Sequence, residues 1–225
     1  MLKMTAPIAR TYLGVSVYEA ILENILSGVL PSGAEVSEVS LAQELRVSRT
    51  PIHEAIKKLA KDGLIVHESG RRPRVARFSQ KEVAELYEMR KILECAAVER
   101  AATRMDAREV RDLCKQADAL AAPGPSREAE WKRRALDYDQ HFHDTLAKAS
   151  GCVRLHEDVQ RYRLLVRAFC RITGSAQNLR QAMGEHRRIL RALEARDAPA
   201  ARKAMADHID ARLEVVLKGA APEER

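Results

Sequence analysis

Leu41-Ala42-Gln43-Glu44-Leu45-Arg46-Val47-Ser48-Arg49-Thr50-Pro51-Ile52-His53-Glu54-Ala55-Ile56 reads as two short helices joined by a tight turn. Ser48 is a good N-cap, and Pro51 falls in the first turn of the second helix, where backbone N–H groups have no intrahelical partner in any case. That second helix opens on a polar, Arg-bearing edge. A helix-turn-helix protein inserts such an edge into the major groove of DNA.

The flanks extend the pattern. Residues 1–14 read as a loose arm. Val15 to Val29 follows as an amphipathic helix, with Val15, Tyr18, Ile21, Leu22, Ile25 and Leu26 on one face. Ser37 to Leu45 and Ser48 to Asp62 are the next two helices, and Gly63 is a C-cap candidate. Leu64 to His67 and Arg74 to Phe78 read as strands around the basic turn Glu68-Ser69-Gly70-Arg71-Arg72-Pro73. Three helices and a hairpin in this order make a winged helix-turn-helix.

Beyond Ser79 the chain becomes helical throughout. Helices are expected at about 80–104, 107–121, 127–149, 152–173, 176–196 and 198–218. The breaks fall at Asp106, Pro123-Gly124-Pro125-Ser126, Gly151, Gly174 and Asp197-Ala198-Pro199. The expected fold is therefore mainly α: a winged helix-turn-helix DNA-binding domain at residues 1–78, and an all-α six-helix bundle at 79–225 with room for an internal site.

Composition agrees. The 225 residues are poor in aromatics, Gly and Pro, which favours helix, and the net charge is +7. Between Arg46 and Arg77 there are nine basic and three acidic residues, so this segment carries six of the seven net charges. The basic surplus coincides with the expected DNA-reading element, which argues against a packaging protein with charge spread along its length. Cys95, Cys114, Cys152 and Cys170 are far apart and suit reduced thiols of a cytoplasmic protein. No signal peptide or bilayer-spanning apolar run is visible.

Arg49 and Thr50 are the best candidates to read a base edge and grip a phosphate, since Arg can bond both major-groove acceptors of guanine. Ser48 stands beside them, and His53 lies one turn on. Arg46 in the turn, with Lys57 and Lys58 further along the helix, would contact the backbone. Gly70 would let the wing approach the minor groove, with Arg71 and Arg72 beside it.

A second constellation lies in the helical half. His143 follows Asp139 by four residues, so both project from one helix face. His186 falls mid-stripe among Leu179, Ala182, Leu190 and Leu193, and His208 among Ala201, Ala204, Met205 and Val215. Histidines within apolar stripes need partners. A carboxylate and three imidazoles converging in a bundle core would bind a divalent transition metal such as Zn, Ni, Mn or Fe, with positions left for a small carboxylate. The rival pair Asp137 and His141 falls on the more charged side of the same helix. Arg90 is a further polar resident of an apolar stripe. Its guanidinium wants either Glu94, one turn on, or an organic-acid effector.

The chain resembles known regulators in both halves. Leu30-Pro31-x-Gly33, Leu41-Ala42, Val47 to Ala55, Leu59 and Gly63-Leu64-Ile65 resemble the N-terminal domain of GntR-type transcriptional regulators. That family usually has Arg at the position of His53, and often at Val39. Glu85 to Glu94, Asp139-x-x-Phe142-His143, Ala149-Ser150-Gly151, Glu185-His186-x-x-Ile189-Leu190-x-Ala192-Leu193 and His208 resemble the FCD ligand-binding domain of the FadR branch. The six helices are similar to its VanR-type variant. Cys152 stands where that domain commonly has Asn. The resemblance implies Asp139, His143, His186 and His208 as metal ligands, Arg90 as an effector contact, and no enzymatic activity. The resulting expectation is a homodimeric, ligand-responsive repressor that binds a palindromic double-stranded operator, outside any membrane. Two rivals use the same Asp/His3 group: a metal-dependent hydrolase, or a regulator whose metal is purely structural.

Overall fold

The computed structural model describes residues 7–68, 70–121, 128–169 and 175–219, with the side chains of 7–15, Phe169 and Gly219 left aside. The described residues form helices α1 (Pro7–Ser27), α2 (Glu38–Glu44) and α3 (Arg49–Lys61), strands β1 (Ile65–Val66) and β2 (Arg74–Val75), then helices α4 (Gln80–Arg104), α5 (Ala107–Ala121), α6 (Glu128–Ala149), α7 (Val153–Phe169), α8 (Ala176–Glu194) and α9 (Ala198–Gly219). The chain is mainly α, as its composition and periodicity indicate. The turns expected at Pro123 to Ser126 and Gly174, the end of the helix expected to reach 173, Ser69 and Cys170 lie outside the described residues.

The first compact unit runs up to Phe78. Ile21, Ile52, Leu59 and Leu64 are fully buried in it, with Ile25, Val36, Leu41, Ile56 and Val75 packed around them. Each such side chain removed from water contributes about 1.5–3 kcal/mol. Tyr18 Oη donates to Asp62 Oδ2 at 2.7 Å, tying α1 to the end of α3. The hairpin pairs antiparallel, Ile65 with Val75 and Val66 with Arg74, and an isolated bridge adds Glu35 to Arg74. Both strands are shorter than expected, two residues each, with the Ala76 amide still donating to the Leu64 carbonyl just beyond them. Gly33 has φ +79°, and a β-carbon there would collide with the Arg77 guanidinium.

Two local expectations change. The arm expected at 1–14 is helical from Pro7 onward. Proline suits a helix's first turn, and Gly14 within the helix, at about 1 kcal/mol relative to alanine, does not end it before Ser27. Ser48 occupies the N-cap position of α3, but its hydroxyl makes no capping hydrogen bond.

The second unit begins at Ser79 and carries α4 to α6, α7 as far as Val166, α8 and α9. Ser79 and Glu82 form a reciprocal capping box that starts α4. Ser175 caps α8, and Asp197 caps α9 through the Ala200 amide. α4 lies along α9, α9 along α8, α8 along α5, and α6 along α4. The turn from α6 to α7 is pinned from α4: Arg100 and Arg104 both donate to the Ser150 carbonyl, at 3.0 and 2.7 Å. Cys152 needs no side-chain role in that turn, because its amide donates to Ser150 Oγ.

Candidate functional site

The DNA-facing residues expected from sequence sit on the outside of the first unit. The turn between α2 and α3 passes through Arg46 at φ +53°, an unusual conformation for a residue with a side chain, and Arg46 is exposed. Ser48, Arg49, Thr50 and Lys57 are exposed as well. The Arg49 side chain keeps 69% of its surface in solvent. The buried face of α3 is Ile52, Ala55, Ile56 and Leu59, so the polar face is left outward. Gly70 has φ +76° with open space around it, and Arg71 pairs with Glu68 at 2.8 Å.

Sequence reasoning misses the acidic partners of this basic face. Glu38, on α2, accepts from Arg49 Nη2 at 3.4 Å and stands 2.8 Å from His53 Nδ1. The hydrogen bond from His53 outweighs partial burial and, with Arg49, holds the Glu38 carboxyl below the usual range. Glu35 takes Arg72 and Arg74 in the same way. Lys58 is exposed and lies over the Tyr18 ring, 4.2 Å from its centroid.

The second constellation assembles as expected. Asp139 and His143 on α6, His186 on α8 and His208 on α9 each present one ligand atom, all within 4.8 Å of one another. The three imidazoles are fully buried, and Asp139 is partly exposed. Asp139 Oδ1 stands 3.4 Å from His186 Nε2 and 3.8 Å from His143 Nε2. Phe142 stacks on His186 with centroids 4.1 Å apart and planes at 17°, which fixes that ring. The rival residues Asp137 and His141 are exposed and belong to no such group.

Among the described residues, His143 Nε2 and both ring nitrogens of His186 are buried without a hydrogen-bond partner. Each orphaned buried nitrogen costs about 1–3 kcal/mol, which is hard to reconcile with an ordinary core. It suits His143 Nε2 and one nitrogen of His186 held ready for an ion, each ring giving one ligand atom. Ligands about 2.1 Å from a shared ion lie at most about 4.2 Å apart, so shifts of a fraction of an ångström would close the group.

The far nitrogens of two rings are engaged by carboxylates. Glu94 on α4 makes a short contact with His143 Nδ1, and Glu185 on α8 stands 2.8 Å from His208 Nδ1. This leaves Nε2 of each ring facing the group, the carboxylate–histidine pairing that orients metal-ligating imidazoles. Each carboxylate is shared with a buried arginine: Glu94 with Arg90 at 2.7 Å, and Glu185 with Arg212 at 2.9 Å. Arg90 thus takes Glu94, the nearer of the two partners its sequence position allows. Arg163, on α7, donates to Asp139 Oδ2 at 2.6 Å. Glu94, Glu185, Arg163 and Arg212 are the components that sequence patterning does not single out in these roles.

The electrostatics follow from burial. Desolvation lowers all three imidazoles from their ordinary value, reinforced by Arg163 for His143, by His208 for His186 and by His143 for His208. Neutral imidazole is the metal-ligating form. Burial alone would push Asp139 and Glu94 up. The surrounding cations overcome it, Arg163 foremost for Asp139 and Arg90 for Glu94, and both carboxyls sit below the usual range. A separate cleft between α5 and α6 is lined by Glu109, Asp112, His141 and Asp144.

Residues 85–211 match the FCD domain family, and residues 13–75 match the family described as bacterial regulatory proteins, gntR family. The chain is similar to the HTH-type transcriptional regulator YdhC of Bacillus subtilis, 29% identical over 197 residues that span 86% of each protein. It is also similar to the HTH-type transcriptional repressor RspR of Escherichia coli, 26% identical and covering 86% of this chain and 84% of that one. In fold it resembles Escherichia coli McbR/YncC, with a TM-score of 0.74 at 18% identity over 92% of this chain and 97% of the other.

Proposed function

The chain belongs to the FCD family and carries a GntR-type DNA-binding head, which makes it a transcriptional regulator and not an enzyme; on that premise we propose that it is a cytoplasmic, homodimeric repressor whose helical unit binds one divalent transition metal and a small organic acid. The observation that carries this reading is the convergence of Asp139, His143, His186 and His208, with ring nitrogens of His143 and His186 left without a hydrogen-bond partner. Bound there, a divalent ion would supply positive charge and open coordination positions to a carboxylate.

The chain's own residues do the rest. Glu94 and Glu185 fix the tautomers of His143 and His208, and Phe142 fixes the plane of His186. The bundle excludes water from three of the four ligands. On the DNA side, Arg49 and Thr50 read or grip the major groove, assisted by Ser48 and His53. Arg46 and Lys57 meet phosphates, and Gly70 and Arg71 carry the wing to the minor groove. Two copies related by a two-fold axis suit a palindromic operator. The acid would relieve repression by binding one arrangement of the helical unit more tightly than another. Repressor activity is supported by the repressors among its relatives.

The test is binding of the full chain, with zinc present, to its own promoter region and to random DNA of equal length, followed by fluorescence anisotropy at increasing salt. The proposal expects a salt-sensitive preference for the promoter fragment that falls when a small carboxylate is added. Equal affinity for both DNAs would overturn the repressor reading, and an acid-independent preference would overturn the sensing half.

A further inference from the structure

Arg90 and Arg163 both stand beside the Asp/His group, and they are not equivalent. Arg90 is buried to 4% exposure on α4, its Nε bonded to Glu94 Oε1 at 2.7 Å and its guanidinium 5.1 Å from the Tyr87 ring centroid. Moving it would leave Glu94 as a buried, unpaired carboxylate, which is costly. Arg163 reaches in from α7, keeps 11% of its side chain exposed, and bonds Asp139 Oδ2 at 2.6 Å. Its other terminal nitrogen stands 4.0 Å from Glu94 Oε2, beyond hydrogen-bond range. Asp139 therefore divides its two oxygens. Oδ1 faces the imidazoles, and Oδ2 holds the arginine.

The two ion pairs beside the group balance as they stand: Arg90 with Glu94, and Arg163 with Asp139. A divalent ion ligated by Asp139 adds two positive charges to a buried site and draws the shared carboxylate's charge toward itself. That weakens the hold of Asp139 on Arg163 and calls for an anion. The side chain released in this way is Arg163, on the more exposed edge of the group. Arg163 also shares a face of α7 with His156 and Gln160, at two- and one-turn spacing respectively, and both of these bond Asp144 on α6. A change of partner by Arg163 therefore acts on one end of the polar seam that joins α7 to α6.

Resting on the metal-binding reading above, we propose that Arg163, not Arg90, anchors the carboxylate of a small organic dianion at the ion-loaded site. It is a specificity-determining residue that exchanges Asp139 for the ligand. Metal and acid binding are then positively coupled, because each removes a penalty the other meets.

The probes are zinc alone, then zinc with malonate, in a chelator-buffered solution so that malonate cannot deplete the free ion. The full chain is compared with Arg163→Gln and Arg163→Lys, each checked for its helical content. In the parent chain, malonate tightens zinc binding. In Arg163→Gln, zinc binds about tenfold tighter than in the parent, because a positive charge a few ångströms away is gone, and malonate no longer adds to it. Arg163→Lys recovers part of the malonate effect. A purely structural role for Arg163 would weaken zinc binding and leave the malonate enhancement in place, and that outcome overturns the proposal. So does a parent chain that binds zinc with no response to malonate. Failure of the parent chain to bind zinc at all would strike the metal reading itself, and this inference with it.

Discussion

The exposed basic face of the first unit and the buried polar nest of the second use the same side-chain chemistry in opposite dielectric settings. On α3 and the wing, charged groups lie in water, and their pairs with Glu38, Glu35 and Glu68 are surface pairs worth at most about 1 kcal/mol each. In the bundle, the charged side chains near the ligand group have partners from the same or a neighbouring helix, and orphaned ring nitrogens of His143 and His186 stand among them. Charge is thus held loosely where it meets a polyanion, and is over-determined where it frames a small site. One face can exchange partners at little cost. The other exchanges only when an ion or ligand compensates.

Substituting within the nest should therefore have the largest effect. His186→Ala removes a central ligand and is expected to abolish any zinc-dependent rise in melting temperature; an unchanged rise would strike it from the ligand set. Glu185→Gln keeps all four ligands and loses the carboxylate that orients His208 and pairs with Arg212. About 10- to 100-fold weaker zinc binding is expected by chelator competition, and undiminished affinity would mean that the carboxylate serves packing alone.

On the DNA face, Arg49→Ala is expected to cost about 1–3 kcal/mol at the operator and to relax sequence preference at one base position. Lys57→Ala should weaken promoter and random DNA alike and flatten the salt dependence. Competition binding across operator variants separates the two, and a uniform loss for Arg49→Ala would demote it to a phosphate contact.

Acidity tests the nest from another direction. The buried imidazoles have folded-state values below the ordinary 6.5, so the unfolded chain takes up protons first as the pH falls. Their contribution to stability is full above that value and is lost progressively below it. Asp139 and Glu94, also lowered in the fold, add a loss of the same sign in more acid solution. Chemical denaturation of metal-free protein should show stability falling from pH 7 to pH 5. A flat profile would mean that the imidazoles are solvated.

The smallest change is expected for Glu38→Gln, which removes the acidic partner of Arg49 and His53. DNA affinity should rise by less than about 1 kcal/mol, and more at low salt than at high. A marked loss would show that Glu38 positions the reading helix.

The same contrast explains what could be read without coordinates. Helix order, the hairpin and the outward face of α3 follow from periodicity and from the Ser48-Arg49-Thr50-Pro51 start, because these are local properties. His186 and His208 announce themselves as polar residues in apolar stripes, and His143 by its four-residue spacing from Asp139. The roles of Glu94, Glu185, Arg163 and Arg212 are not local. Glu94 looks like one half of an i, i+4 pair with Arg90, yet its second oxygen serves His143 on another helix. Arg163 lies 24 residues from Asp139, and nothing in the α7 pattern points to that carboxylate. Glu185 could have been suspected, since it falls inward beside His186 and a buried carboxylate needs a partner. Pro7 is a simpler lesson: a proline can open a helix at its first turn, and one internal glycine, Gly14, does not stop it.

X-ray absorption at the zinc edge of the metal-loaded full chain addresses the central claim most directly. Three imidazole nitrogens and at least one light oxygen donor around a single ion per chain is the expected result, with that signature lost in His186→Ala. Sulfur in the ligand shell, or an imidazole count that His186→Ala leaves unchanged, would contradict it.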